Sequence, residues 1–171
     1  ARKTGIDRIA VMAKRLGLGQ ILNLGLPGEK RGLIPNRAWK KSAKGSSWQQ
    51  GETLLAGIGQ GLILTTPLQL VVMTSRLVNG GRSVFPSLTR QLVSSAGAPS
   101  RTNLQPSFES IGIHERYLEI INKAMAAVSN SYLGTAYKAR IKERDYTMGG
   151  KTGTVQVRHI SEAERETRVL K

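Results

Sequence analysis

Residues 148–157 read MGGKTGTVQV, and the reading of Gly150-Lys151-Thr152 decides how the rest of the chain is assigned. The tripeptide ends the G-x-x-x-x-G-K-[ST] loop that cradles nucleotide phosphates. That loop needs a first glycine five positions earlier, where this chain has Asp145. A carboxylate there would face phosphate charge instead of freeing backbone N–H groups to hold it. A phosphate loop must also open a helix, whose N-terminus helps to hold the anion. Here Thr154-Val155-Gln156-Val157 follows, β-branched at alternate positions, which predicts a strand. The nucleotide reading fails twice, and a lysine with two threonines at the start of a strand needs another explanation.

The 171 residues suffice for one domain with a sizeable core. A hydrophobic fraction of 39% and a charged fraction of 22% are globular in character. No apolar run approaches the roughly 18 residues of a membrane span, and no signal-peptide pattern opens the chain. With no cysteine, disulfides, thiolate catalysis and cysteine-ligated zinc are excluded. His114 and His159 lie far apart without metal-ligand spacing, so no metal site is expected. The net charge is +15, with six cations between Lys30 and Lys44. Three readings of that charge stand side by side: a solvated face, an anionic surface or polymer as neighbour, and nucleic acid. A single-stranded nucleic-acid site would set aromatic platforms among the cations, and only Trp39 and Trp48 lie in or near the cluster.

Along the chain, Thr4-Gly-Ile-Asp7 has the form of a capping box, with Ile6, Ile9, Ala10, Ala13 and Leu16 at helical spacing and Gly17 as the stop. Residues 19–51, rich in glycine, proline and cations, predict a long irregular arm. Thr66-Pro67 opens the clearest helix and Asn79-Gly80-Gly81 closes it. Leu68, Leu70, Val71, Val72, Leu77 and Val78 make it apolar nearly all round, which predicts burial. A strand is expected within 83–93, on an edge or at a bulge because of Pro86, then a Ser/Pro/Gly loop over 94–107. A helix over 114–128, a short one over 135–141 and the MGGKTGTVQV strand complete the list. Helices gathered before a late strand predict an α+β fold.

The blocks GETLLAGIGQGLILTTPLQLVVMTSRLVNGG, GTAYKARI and MGGKTGTVQV occur in an order that resembles the penicillin-binding transpeptidases. The opening GIDRIAVMAKRLGLG, then LPGEKRGLIPN and W…GET, is similar to the class B enzymes of the penicillin-binding protein 2 type. The resemblance covers essentially the whole chain. K-T-G by itself is a weak signal; K-T-G-T after I-G-Q-G and T-P-L-Q is a strong one. It implies the α+β fold shared by penicillin-binding proteins and serine β-lactamases, and a D,D-transpeptidase that cross-links cell-wall stem peptides through a serine acyl-enzyme.

That family carries S-x-x-K with the nucleophile, S-x-N, and K-[ST]-G on a strand lining the cleft. No lysine of this chain has a serine three residues before it, and no asparagine or aspartate has one two residues before it. The closest approach, Thr135-Ala-Tyr-Lys138, does not match the nucleophile segment. The chain is therefore expected to be the C-terminal part of a transpeptidase domain, truncated at both ends, with the nucleophile outside it. Carried over by position, Lys151, Thr152, Gly153 and Thr154 match the third motif. Lys151 would supply charge to the substrate carboxylate, the Thr152 and Thr154 hydroxyls would donate to it, and Gly153 would allow close approach. The resemblance makes the Thr154 N–H an oxyanion-hole donor.

Gly57, Gly59 and Gly61 lack the last glycine of a dinucleotide fingerprint and predict a tight turn, with Gln60 and Thr65 as supporting residues. No cofactor is expected. The implied partners are stem peptides, β-lactams and a membrane glycosyltransferase of the elongation machinery, at the periplasmic face of the bacterial inner membrane; nucleic acid is not expected. The alternatives are a serine β-lactamase or D,D-carboxypeptidase of the same fold, and a non-enzymatic basic binding module.

Overall fold

The computed structural model describes residues 1, 3–88, 92–93, 99–100, 109–143 and 145–153. They divide into two units, Ala1–Lys123 and Ala124–Lys171. Helix α1 spans Ile6–Arg15 and buries Ile6 and Ala10. Its N-cap is Gly5 at φ 78°, not Thr4. A glycine at positive φ turns the chain directly into the helix and leaves no side-chain cap to make. Asp7 faces outward instead, accepting from the Arg37 N–H at 3.2 Å and pairing with its guanidinium at 3.5 Å. Gly17 at φ 99° ends the element as expected. A Cβ there would meet Val72 Cγ1 at 2.9 Å, so the exit of α1 lies against the helix that carries Val72.

The expected irregular arm over 19–51 is corrected by a helix inside it, α2, Arg37–Lys44. Asn36 caps it by accepting from the Trp39 N–H at 2.7 Å, and Gly45 at φ 64° closes it. Its Lys40 is buried, with the ammonium 2.5 Å from the Glu52 carboxylate. Glu52 also accepts from the Gln49 N–H at 2.7 Å, at the start of α3, Gln50–Gly57. The bond to Lys40, reinforced by the one from Gln49, holds the Glu52 carboxyl below its ordinary 4.5, against a smaller opposing effect of burial. Trp48 donates through Nε1 to Thr53 Oγ1 at 2.8 Å.

Helix α4 spans Pro67–Val78 and starts where Thr66-Pro67 predicts. The Thr66 hydroxyl accepts from the Gln69 N–H at 3.2 Å while Gln69 Oε1 accepts from the Thr66 N–H at 3.4 Å. The expectation that its apolar residues are buried all round is overturned. The buried positions are Gln69, Val72 and Arg76, whereas Leu70, Val71 and Val78 are exposed. The inward face was chosen by hydrogen bonding. Gln69, fully buried, donates from Nε2 to the carbonyls of Gln20 at 2.7 Å and Arg31 at 2.8 Å. Its amide therefore pins both ends of the segment before α2. An antiparallel bridge between Leu33 and Leu64 ties the same segment down, and a Cβ on Gly32 (φ 67°) would run into the Leu64 carbonyl oxygen. Arg76 donates from Nη1 to the Arg15 carbonyl at 2.7 Å, closing the end of α1, and from Nε and Nη2 to the Val84 carbonyl. Burial lowers its pKa, but a guanidinium stays charged, so the fold holds a cation against carbonyl dipoles and the Phe85 ring, 5.4 Å away.

After α4, Arg82 and Ser110 form an isolated antiparallel bridge. Within the expected 83–93 strand, residues 83–88 form no strand and 89–91 lie outside the described residues. Strand β1, Leu92–Val93, pairs antiparallel with β2, Pro99–Ser100, which falls inside the expected 94–107 loop. Helix α5, Glu115–Asn130, matches the helix expected over 114–128; its first turns belong to the first unit and its last turns to the second. The short helix expected over 135–141 is a 3-10 turn, Tyr137–Ala139. Residues 148–153 form no strand, and 154–157 lie outside the described residues. Strands need ladder partners, and the Gly150 N–H donates to the α5 carbonyl of Met125 at 3.0 Å instead. No helix among the described residues is long and apolar enough to cross a membrane. The described part is helix-rich with one two-stranded sheet, within the α+β class.

Candidate functional site

The site is built in the second unit around the C-terminal turns of α5. Three things fasten the segment 148–152 there. The Gly150 N–H reaches the Met125 carbonyl at 3.0 Å. Asn130 Nδ2 donates to the Met148 carbonyl at 2.7 Å and to the Ala126 carbonyl at 2.7 Å. Gly149 lies so close to the helix that a Cβ on it would stand 3.3 Å from the Ala126 nitrogen and the Met125 carbonyl carbon. The chain leaving α5 is folded back just as tightly. The Ala136 N–H donates to the Val128 carbonyl at 3.0 Å, and a Cβ at Gly134 would run into the carbonyl oxygens of Val128 and Ala127. The Ala136 bond thereby satisfies one of the carbonyls left over at the end of a helix, whereas the Gly150 bond adds a second donor to a carbonyl one turn further in.

Thr135 follows Gly134 out of this turn, and its hydroxyl lies 3.2 Å from that of Thr152. Lys151 is exposed; its ammonium donates to the Thr152 carbonyl at 2.6 Å and sits 3.5 Å from the Thr152 hydroxyl. One ammonium and two hydroxyls therefore gather on an open segment. Such a group can receive a carboxylate, with the charge and the donors supplied from different side chains. In the turn after Thr135, the Tyr137 ring meets Tyr132 edge-on at 5.6 Å and carries the Arg140 guanidinium at 3.8 Å.

Of the residues expected from sequence, Lys151, Thr152 and Gly153 are exposed on this segment, and Thr154 lies outside the described residues. Gly57, Gly59 and Gly61 belong to the first unit. Gly59 at φ 74° and Gly61 at φ 80° make the turn that follows α3. There Gln60 is exposed and Thr65 Oγ1 donates to the Thr66 carbonyl at 3.1 Å. His114 accepts from the Arg116 N–H at 3.3 Å, and His159 lies outside the described residues. Among the described residues no three His, Cys, Asp or Glu side chains come together as a metal site would need. The first unit has a separate cleft of about 740 Å³, lined by Asn79, Gly80, Arg82, Val84, Ile113, Glu115 and Leu118, and none of the expected site residues lines it.

Sequence reasoning missed Asn130 and Thr135. In the sequence Thr135 stands in GTAYKARI, where Thr135-Ala-Tyr-Lys138 does not match the nucleophile motif. Nothing in the local sequence marks Asn130, because its partner lies 18 residues further on.

Residues 1–168 match the family described as penicillin binding protein transpeptidase domain. The peptidoglycan D,D-transpeptidase MrdA of Acinetobacter baumannii is 33% identical over 165 residues, 96% of this chain and 24% of the relative. The MrdA of Escherichia coli K12 is 34% identical over 155 residues, 90% of this chain and 24% of the relative. The chain thus spans about a quarter of the length of the curated relatives it matches. Among solved structures, Pseudomonas aeruginosa PBP2 in complex with WCK 5153 superposes with a TM-score of 0.78 at 35% identity, over 91% of this chain and 34% of that one. PBP2 in its complex with MreC from Helicobacter pylori gives a TM-score of 0.75 at 28% identity, over 91% of this chain and 27% of that one. The α+β expectation and the penicillin-binding protein 2 resemblance both hold: the chain belongs to the penicillin-binding protein transpeptidase family.

Proposed function

We propose that this chain supplies the carboxylate-binding wall of a peptidoglycan D,D-transpeptidase. The observation that carries the reading is the meeting of the Lys151 ammonium and the Thr135 hydroxyl at Thr152 of the K-T-G segment. In the reaction, a serine from outside these residues attacks the penultimate D-Ala carbonyl. The C–N bond breaks, D-Ala leaves with a proton, and the amine of a neighbouring stem peptide displaces the serine from the ester. The substrate's terminal carboxylate, or that of a β-lactam, sits at Lys151, Thr152 and Gly153. The Thr154 hydroxyl completes the anion site and its N–H donates to the oxyanion. Stem peptides and β-lactams are then the ligands, and a membrane glycosyltransferase at the periplasmic face of the inner membrane supplies the glycan strands.

The test is made on the full-length protein with a fluorescent penicillin. Lys151→Ala lowers the second-order acylation constant by at least about 10²-fold, roughly 2.7 kcal/mol, with the melting temperature unchanged. Lys151→Arg is partly tolerated, because a planar fork replaces a compact ammonium. Acylation of Lys151→Ala at the wild-type rate refutes the reading. Rapid hydrolytic release of the penicilloyl group points to a β-lactamase.

A further inference from the structure

We propose that Asn130 is a positioning residue of this transpeptidase: its carboxamide fixes the height of the K-T-G segment on α5 and so aims Lys151 and Thr152 at the substrate carboxylate. The inference rests on the carboxylate-wall reading above and assigns that wall its support.

Asn130 is the last residue of α5. Both acceptors facing its side chain are carbonyl oxygens, those of Ala126 and Met148, each at 2.7 Å. Only a group with two N–H donors satisfies both, which fixes the orientation of the amide and uses both of its hydrogens. One hydrogen holds the side chain to its own helix, one turn back. The other crosses to residue 148, three positions before Lys151. With the Gly150-to-Met125 bond at 3.0 Å, this gives the segment two attachments, on either side of Gly149. At Gly149 the backbone lies against α5, and a Cβ would stand 3.3 Å from its backbone, closer than most side chains come. The Thr135–Thr152 hydroxyl contact at 3.2 Å then depends on the segment holding that height. Asn130 is exposed, so its bonds add little to overall stability while they set local geometry. A misplacement on the order of 1 Å costs about 10²-fold in rate.

The experiment compares two fluorescent penicillins on the full-length protein, one with its free carboxylate and one esterified there. The rate constant is taken per active site, with the active fraction measured separately by titration. Wild type prefers the carboxylate form. Asn130→Ala, and the near-isosteric Asn130→Asp, which loses the donors, each reduce that preference by about tenfold or more. The ester rate falls less than the carboxylate rate, and the active fraction stays near wild type. Gly149→Ala leaves Asn130 intact, tightens the contact of the segment with α5 by a few tenths of an ångström and reduces the preference in the same direction, to a smaller extent. Should Asn130→Ala fail to fold, Asn130→Gln, which keeps both donors on a longer stem, decides: a wild-type preference in it overturns the proposal. Variants that keep the wild-type preference overturn the proposal. So do variants that lose both substrates in equal proportion, since that is a structural defect. Wild type without any preference for the carboxylate fails the carboxylate-wall reading itself, and the proposal falls with it.

Discussion

Replacing Gln69 should release the segment that runs from α1 to α2. Its amide donates to the carbonyls of Gln20 and Arg31 at 2.7 and 2.8 Å, and its oxygen accepts from the Thr66 N–H, with the side chain fully buried. Gln69→Met keeps the length and fills the space but removes both donors. Two short donated bonds lost at about 1 kcal/mol each, the long 3.4 Å bond from Thr66 at less, and a buried carbonyl left unpaired at a further ~1 kcal/mol give roughly 3 kcal/mol or slightly more. Gln69→Glu is worse, because a carboxylate then faces two carbonyl oxygens without water. Urea unfolding of the full-length protein should move the midpoint of the transition that includes this region down by about 1.5 M, taking a slope near 2 kcal/mol/M. Trypsin should cut faster after Lys30 and Arg31 in the folded variant, where local opening exposes them. If Gln69→Met melts within about 0.5 kcal/mol of wild type and its Lys30–Arg31 cleavage is unchanged, the side chain is not the anchor described here.

Two further outcomes follow from the same geometry. The Glu52 carboxyl titrates below 4.5 in the folded state, chiefly through its bond to Lys40. Its stabilisation is therefore full above about pH 5 and is lost as pH falls through the lowered value. Glu52→Gln should lower the melting temperature at neutral pH and flatten its acid-side slope; an unchanged slope refutes the assignment. Gly134→Ala should cost about 2 kcal/mol or more, since the new Cβ must push aside the carbonyls of Val128 and Ala127. It should also slow penicillin acylation by displacing Thr135; a stable variant with the wild-type rate would show that the turn has room.

Local signals were legible wherever the chain closes its own bonds. Thr66-Pro67 and Gln69 gave α4 its start because a capping box is complete within four residues. Helix α2 was missed although its caps, Asn36 and Gly45, stand in plain view, because RAWKKSAK offers no apolar period. It is held by Lys40 reaching Glu52, 12 residues away. The face of α4 was misread for a related reason. Apolar count pointed to Leu70 and Val71, and distant backbone carbonyls selected Gln69 and Arg76 instead. At the site, the K-T-G motif announced Lys151 and Thr152, while Asn130 and Thr135 acquire meaning only when α5 and the segment after residue 147 are brought together.

The bond from Arg76 to the Arg15 carbonyl also sets a clock. The two residues are 61 apart in sequence. At a synthesis rate of roughly 5–20 residues per second, α1 waits on the order of 3–12 s before the side chain that closes its end is made. During that interval the carbonyls of Met12, Ala13 and Lys14 are already met by Leu16, Leu18 and Gly17, the Arg15 carbonyl still lacks Arg76, and a ten-residue helix is marginal by itself. Helix α1 is therefore made before α4 but closed only with it, and its completion reports that α4 has arrived.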